Sequence, residues 1–169
     1  MRRALNGLYT GAAYLAAACM VLLAGMVLAG IVSRLMGFNL PGIDAYAGYL
    51  MAGAGFLALA QTFNKGEHIR ATLLVQKAKP SVARGLELWS LFAASVLAGL
   101  FAAYSTRLAW QSHSFNDIST GNDATPLWIP QILMAAGALV FFIAVVDALV
   151  AALQGKPNVA NSTDLLKSE

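Results

Sequence analysis

Four runs of this chain, residues 4–33, 45–64, 88–106 and 124–146, contain no Asp, Glu, Lys, Arg or His. A bilayer's hydrocarbon core is about 30 Å thick and an α-helix rises about 1.5 Å per residue, so roughly 20 apolar residues cross it. Each run meets that length. The sequence therefore predicts an all-α polytopic membrane protein of four transmembrane helices, with spans at about 9–33, 44–64, 84–107 and 126–153. Residues 1–157 form a single four-helix transmembrane domain on this reading, and residues 158–169 form a polar cytoplasmic tail.

What the runs lack constrains function further. An ionisable group held in mid-membrane costs kilocalories and usually marks an ion or proton path. These interiors offer no acid, no base and no paired thiol, so no catalytic residue, cofactor or metal ligand is expected. Only 11% of the 169 residues are charged, against roughly 25% in soluble domains, which leaves no room for a separate soluble domain. The net charge of +3 is spread over loops without a basic stripe, which argues against nucleic acid. The single Cys19 sits inside the first run, so an intramolecular disulfide, a C-x-x-C pair and a zinc framework are all excluded. Its expected role is that of a small buried hydrophobe. Arg2 and Arg3 followed by apolar residues resemble a signal peptide, and the run ending at Cys19 faintly resembles a lipoprotein cleavage site. The apolar stretch continues to Val32, too long for a signal h-region, and Ala16 stands where such a site prefers Leu. An uncleaved first helix is expected.

Basic residues set the topology. Arg2, Arg3, Lys65, Arg70, Lys77, Lys79, Arg84, Lys156 and Lys167 fall on one side, nine of the eleven; Arg34 and Arg107 fall on the other, beside Asp44, Asp117 and Asp123. The positive-inside rule places both termini in the cytoplasm. Tyr9 and Trp89 then lie near cytoplasmic ends, and Tyr46, Tyr49, Tyr104, Trp110 and Trp128 near outer ends, at headgroup level.

Local signals mark the ends. Asp44 after Pro41-Gly42 is placed to cap the second span, and Thr125 before Pro126 gives the fourth an N-cap and an N1 proline. Pro130, one turn on, predicts a lost early hydrogen bond and a mild bend. Gly155, Lys156 and Pro157 close the last helix. In the connection after the second span, Ala71, Leu74, Val75 and Ala78 recur at helical spacing before Pro80, which predicts a short amphipathic helix on the inner membrane surface.

Small residues recur at four-residue spacing: Ala94, Ala98, Ala102 and Ser95, Gly99, Ala103 in the third span, Gly48, Ala52 and Ala54, Ala58 in the second, Gly25, Ala29 in the first. Such rows let backbones approach closely in lipid. Their spacing fits contacts inside the chain and contacts with another membrane protein equally well.

Few polar residues remain to weigh. His68 and His113, the only histidines, fall in or beside loops, not on facing spans as a bis-histidine haem site needs. Lys65, Glu67, His68 and Arg70 cluster where the second span leaves the membrane. They form either a solvated, headgroup-facing group or a contact site, a docking or folding clasp, at the inner surface. Asp147 falls about 30 Å from Pro126 along the fourth span and reads as interfacial. Arg34, Asp44, Arg107, Asp117 and Asp123 border the outer face. Solvation is the default for each, and the same charges are candidates for orienting an extracytoplasmic partner.

Residues 44–74, from Asp44 through an alanine- and glycine-rich span to Gly66-Glu67-His68-Ile69-Arg70, resemble the small membrane subunit of tripartite ATP-independent periplasmic (TRAP) transporters, the DctQ-like subunit. Thr125-Pro126-Leu127-Trp128-Ile129-Pro130-Gln131, opening the fourth span, fits the same family. The resemblance implies a bacterial inner-membrane protein paired with a large multi-span permease subunit and served by a periplasmic solute-binding protein. It further implies ion-gradient-driven symport of organic acids, with the substrate and sodium sites on the large subunit and this chain as a scaffold that helps dock the binding protein. No functional signature carries over beyond the Glu67, His68 and Arg70 neighbourhood. Two other readings compete: a haem or quinone-type membrane anchor, which needs intramembrane His or paired Cys, and an autonomous small four-helix exporter, which needs a membrane-embedded acid.

Overall fold

A computed structural model describes residues 2–64, 80–121 and 123–154. Among the described residues there are four helices: α1 (Arg2–Leu35), α2 (Ile43–Asn64), α3 (Pro80–Ser114) and α4 (Trp128–Leu153). All four are long and apolar enough to cross a membrane, as expected. The helix α3 has 35 residues, so it is about 52 Å long and outreaches a hydrocarbon core of about 30 Å. The amphipathic helix expected at residues 71–78 lies outside the described residues, as does the polar tail.

The helices pack in the order α1, α2, α4, α3, with only slight contact between α1 and α4. Chain direction alternates, so the central α2 and α4 run parallel and each carries an antiparallel partner on its far side. One end of the bundle holds the α1–α2 and α3–α4 loops and is called the turn end; the other holds the chain termini.

Each edge helix gives one narrow seam to its neighbour. On α1 the covered positions are Tyr9, Ala12, Ala16, Cys19, Gly30 and Ser33, with Leu5, Leu23 and Met26 partly covered between them. Steps of four and three alternate along that series, the 3.5-residue period of a left-handed seam. On α3 the seam is Leu91, Ala98, Ala102, Ser105, Ala109 and Ser112. Cys19 is buried and free, matching the expectation for it.

The central pair meets closely because glycines sit in the contact. Gly53 of α2 touches Leu133 of α4, and Gly137 of α4 lies against the Phe56 backbone, where a β-carbon would stand 2.6 Å from the carbonyl carbon. Phe56 also stacks on Phe101 of α3 at 5.5 Å, and Phe63 meets Phe141 edge-on at 5.8 Å.

The small-residue rows divide accordingly. Ala54, Ala98 and Ala102 are buried and Ala58 is partly covered, so these rows serve internal packing, whereas Gly25, Ala29, Gly48 and Ala52 face outward. Tyr9 also departs from expectation. It is 2% exposed, packed with Ala60 and Ala144, because its place on the α1 seam outweighs the pull of the headgroup layer. Trp89, Tyr104 and Trp110 are 65–75% exposed.

Candidate functional site

Polar chemistry concentrates at the turn end, and the helix termini there build its frame. Both ascending helices finish in the same way. Phe38 N–H donates to Ser33 O and Gly37 N–H to Arg34 O after α1, and Asp117 N–H donates to Ser112 O and Asn116 N–H to His113 O after α3. With Gly37 at φ +75° and Asn116 at φ +52°, these are paired Schellman endings. Gly and Asn are the residues that tolerate the left-handed position.

The α3–α4 loop then doubles back on itself. Ile118 and Pro126 form an antiparallel bridge, Ser119 N–H donates to Thr125 O at 2.8 Å, and Leu127 N–H donates to Asp117 O at 3.0 Å. The resulting strap is tied across to α2. The Tyr49 hydroxyl donates to Asp123 Oδ2 at 3.0 Å, the Ser119 hydroxyl to Asp123 Oδ1 at 2.7 Å, and the Thr125 hydroxyl to Tyr46 Oη at 3.1 Å. Ala124, between the two tied residues, takes a left-handed φ of +47°, a strained conformation for a side chain with a β-carbon.

Asp123 is the hub of this clasp. The Ser119 hydroxyl chiefly, with smaller contributions from Thr125 and then Tyr49, holds its carboxyl down at about 2, against a weaker opposing effect of burial. Gly42 closes the contact from below. Its φ is +80°, and a β-carbon there would stand 2.7 Å from Asp123 Cβ. The same Gly42 carbonyl accepts from Tyr46 N–H at 3.1 Å and so starts α2.

Three expectations about helix ends are corrected by this geometry. Asp44 lies inside the first turn of α2 and pairs with Arg34 at 3.2 Å instead of capping. Thr125 does not cap α4; its hydroxyl is spent on Tyr46, and the helix begins at Trp128 after Leu127, with no side-chain cap. Pro130 therefore falls in the first turn, where an N–H has no intrahelical acceptor, so the expected bend has no cause.

The other candidate residues are placed as follows. The Arg34–Asp44 pair is largely exposed on both sides, and exposed pairs contribute little. Arg107 and Asp117 are exposed. His113 meets Trp128 edge-on at 5.4 Å. Asp147 is exposed, six residues before the end of α4. Lys65, Glu67, His68 and Arg70 lie outside the described residues. Among the described residues no three His, Cys, Asp or Glu side chains gather as a metal site would require.

The clasp itself was missed in the sequence, although Tyr46 and Tyr49 on one helical face and a Ser-x-x-x-Asp loop were its visible signals. Also unforeseen is Gln131, whose buried Oε1 has no hydrogen-bond partner among the described residues. In the clasp every hydroxyl donor is aimed at a carboxylate or another hydroxyl. The Ser119, Tyr49 and Thr125 hydroxyls are all spent on holding the loop in place.

Four membrane-crossing helices, chemically bare inside and locked by a polar clasp at one end, define a multi-pass integral membrane protein whose described residues assemble no catalytic constellation. The chain belongs to the family of tripartite ATP-independent periplasmic transporters, DctQ component, whose model matches residues 23–155. It is thus a small membrane subunit of a TRAP transporter. No curated protein matches the chain.

Proposed function

We propose that this chain is the scaffold of an ion-gradient-driven, binding-protein-dependent importer of organic acids, bracing a large permease subunit in the bacterial inner membrane with both termini in the cytoplasm. The family match over residues 23–155 carries this reading. The way the helices spend their surfaces supports it. The edge helix α1 covers one seam and leaves Gly25, Ala29 and the large side chains Val21, Leu28 and Val32 facing outward, and α2 leaves Gly48 and Ala52 uncovered. Small residues on an outward face suit close approach by another helix.

Under this orientation the turn end faces the periplasm. Its clasp holds the loop in one conformation, which lowers the ordering cost when a binding protein docks. The exposed Arg34, Asp44 and Asp117 are the groups available to orient that partner, with Arg107 set deeper, seven residues before the end of α3, and Asp123 acting from beneath by fixing the loop. Lys65, Glu67, His68 and Arg70 remain the candidates for an inner-surface contact.

Co-purification tests the assignment. A tagged chain should bring down a large multi-span membrane protein, and transport by reconstituted vesicles should need both together with a periplasmic binding protein. Substrate uptake by this chain alone would refute the scaffold role.

A further inference from the structure

We propose that the trough between α3 and α4 at the turn end binds one phospholipid, its phosphate on the Arg107 guanidinium and an acyl chain laid along Ala103 and Leu139 toward Gly99 and Phe142. Under the orientation proposed above this is the periplasmic leaflet; the binding itself rests only on the chain's lying in a membrane.

The trough follows from the small-residue rows. On α3, Ala98 and Ala102 are consumed by the seam with α4, but Gly99 and Ala103, one position round, offer no side chain to fill the groove beside it. Leu139 of α4 forms the opposite wall, and the Phe142 ring, 3.0 Å from where a β-carbon on Gly99 would be, packs onto that glycine and closes the deep end of the trough. The hollow measures about 580 Å³. It runs on, past Thr106 and Trp110, into a second hollow of about 450 Å³ that reaches His113 and Trp128.

Length and charge name the occupant. From Gly99 to Arg107, between the acyl end and the phosphate, the helix rises about 12 Å, most of the half-thickness of a hydrocarbon core of about 30 Å. The trough thus spans most of the depth of one leaflet. At its polar end, Arg107 makes no ion pair or side-chain hydrogen bond among the described residues, whereas Arg34 has Asp44 at 3.2 Å. Arg107 also precedes the end of α3 by seven residues, with Leu108, Ala109 and an exposed Trp110 beyond it. A cation so placed, at the depth where tryptophan rings settle, has the lipid phosphate as its nearest abundant anion. The guanidinium fork is shaped to bind it through two hydrogen bonds.

The test uses the full chain with its membrane partner in detergent, titrated with phosphatidylglycerol and read by native mass spectrometry. Wild type should retain one phospholipid per chain. Arg107→Gln should lower occupancy at least tenfold, and Ala103→Trp, which fills the trough and leaves Arg107 in place, should do the same. In parallel, Ala103→Cys labelled with benzophenone maleimide reports the neighbour on illumination, because Cys19 is buried and does not compete for the label. A photo-adduct of phospholipid mass supports the site. Equal lipid retention in both variants, or a photo-adduct to a peptide of the large subunit, would overturn it. Co-purification of the partner in all three variants keeps this outcome separate from the scaffold assignment.

Discussion

Gly137→Ala is the sharpest test of how the central helices are joined. A β-carbon at Gly137 would stand 2.6 Å from the Phe56 carbonyl carbon, 2.7 Å from its oxygen and 2.8 Å from its Cβ. Favourable carbon contacts lie at about 3.5–4.0 Å, so about 1 Å of relief is needed. The obstacle is mostly backbone, and no rotamer change moves it. The two helices have to part, and a gap of 0.5–1 Å forfeits roughly a quarter to a half of each dispersion contact along the seam. Ala60 and Ala138, both 0% exposed, and Leu57 at 3% belong to the tightly covered part of this pair. Overpacking of this kind costs about 1–3 kcal/mol, against a helix-propensity gain for Ala over Gly of at most about 1 kcal/mol.

Three other glycines calibrate the argument. At Gly53 a β-carbon would meet Leu133 Cδ2 at 2.6 Å, the far end of a side chain that can turn away, so Gly53→Ala should cost less. At Gly25 and Gly48 nothing lies within 4 Å, and Ala should be neutral or slightly stabilising in the isolated chain. Thermal unfolding of the purified chain in detergent, followed by tryptophan fluorescence, should rank the variants with Gly137→Ala lowest, Gly53→Ala intermediate, and Gly25→Ala and Gly48→Ala at or above wild type. If Gly137→Ala melts with Gly48→Ala, the close backbone contact of α2 and α4 does not exist and the reasoning fails.

Other predictions concern the clasp and the uncovered surfaces. The Asp123 carboxyl is lowered from 3.8 to about 2, so its contribution to the loop is complete above pH about 4 and is lost as pH falls through about 2. Hydrogen exchange of the Ser119 and Leu127 amides, corrected for intrinsic rates, should show constant protection from pH 7 to 4 and a decline below; Asp123→Asn should weaken that protection at pH 7 and remove its pH dependence. Gln131→Met removes the buried acceptor that lacks a partner and should stabilise the isolated chain by about 1 kcal/mol, seen as a raised melting temperature; the same change should weaken the assembled transporter if a partner supplies the missing donor. Gly48→Leu places bulk on the outward row of α2 and should leave the isolated chain's melting temperature unchanged while abolishing co-purification of the large subunit; retention of that subunit would move the contact elsewhere.

The sequence carried the helices because charge-free length is a local property, readable without knowing any neighbour. It carried the topology of small residues only in part. Four-residue spacing identifies faces that permit close approach, yet whether Ala98 or Ala103 turns inward depends on where α4 lies, which no single helix encodes. The buried Tyr9 shows the same limit: its ring suits the headgroup layer, and the seam on which it happens to fall decided otherwise. The pairing of the clasp residues was not legible for a related reason. Tyr49 and Asp123 are 74 residues apart, and at the fourth span Thr125-Pro126 has the composition of a helix start, although the Thr125 hydroxyl is drawn to Tyr46 and the helix begins later. Hydroxyls with several available partners go to the one that tertiary packing brings near.

The attachments along α2 say what kind of motion this chain is built to resist. Tyr46 and Tyr49 are tied to the strap, Gly53 and Phe56 are pressed on Leu133 and Gly137, and Phe63 meets Phe141. Each level follows the last by about two turns, roughly 10 Å. A parallel helix pair held at three successive heights has no hinge between them, since bending requires a few residues free to change φ and ψ. The clasp carries this rigidity past the end of the helices into the loop, so that the turn end and the membrane contact of α2 with α4 move as one body. Under the scaffold role proposed above, a part so fixed is the frame against which displacement in the transport cycle occurs. A transport assay on Gly137→Ala, loosened at the middle level only, distinguishes this role from mere anchorage. An anchor would tolerate the change so long as the complex assembles, whereas a frame should lose uptake rate even where co-purification of the large subunit is intact.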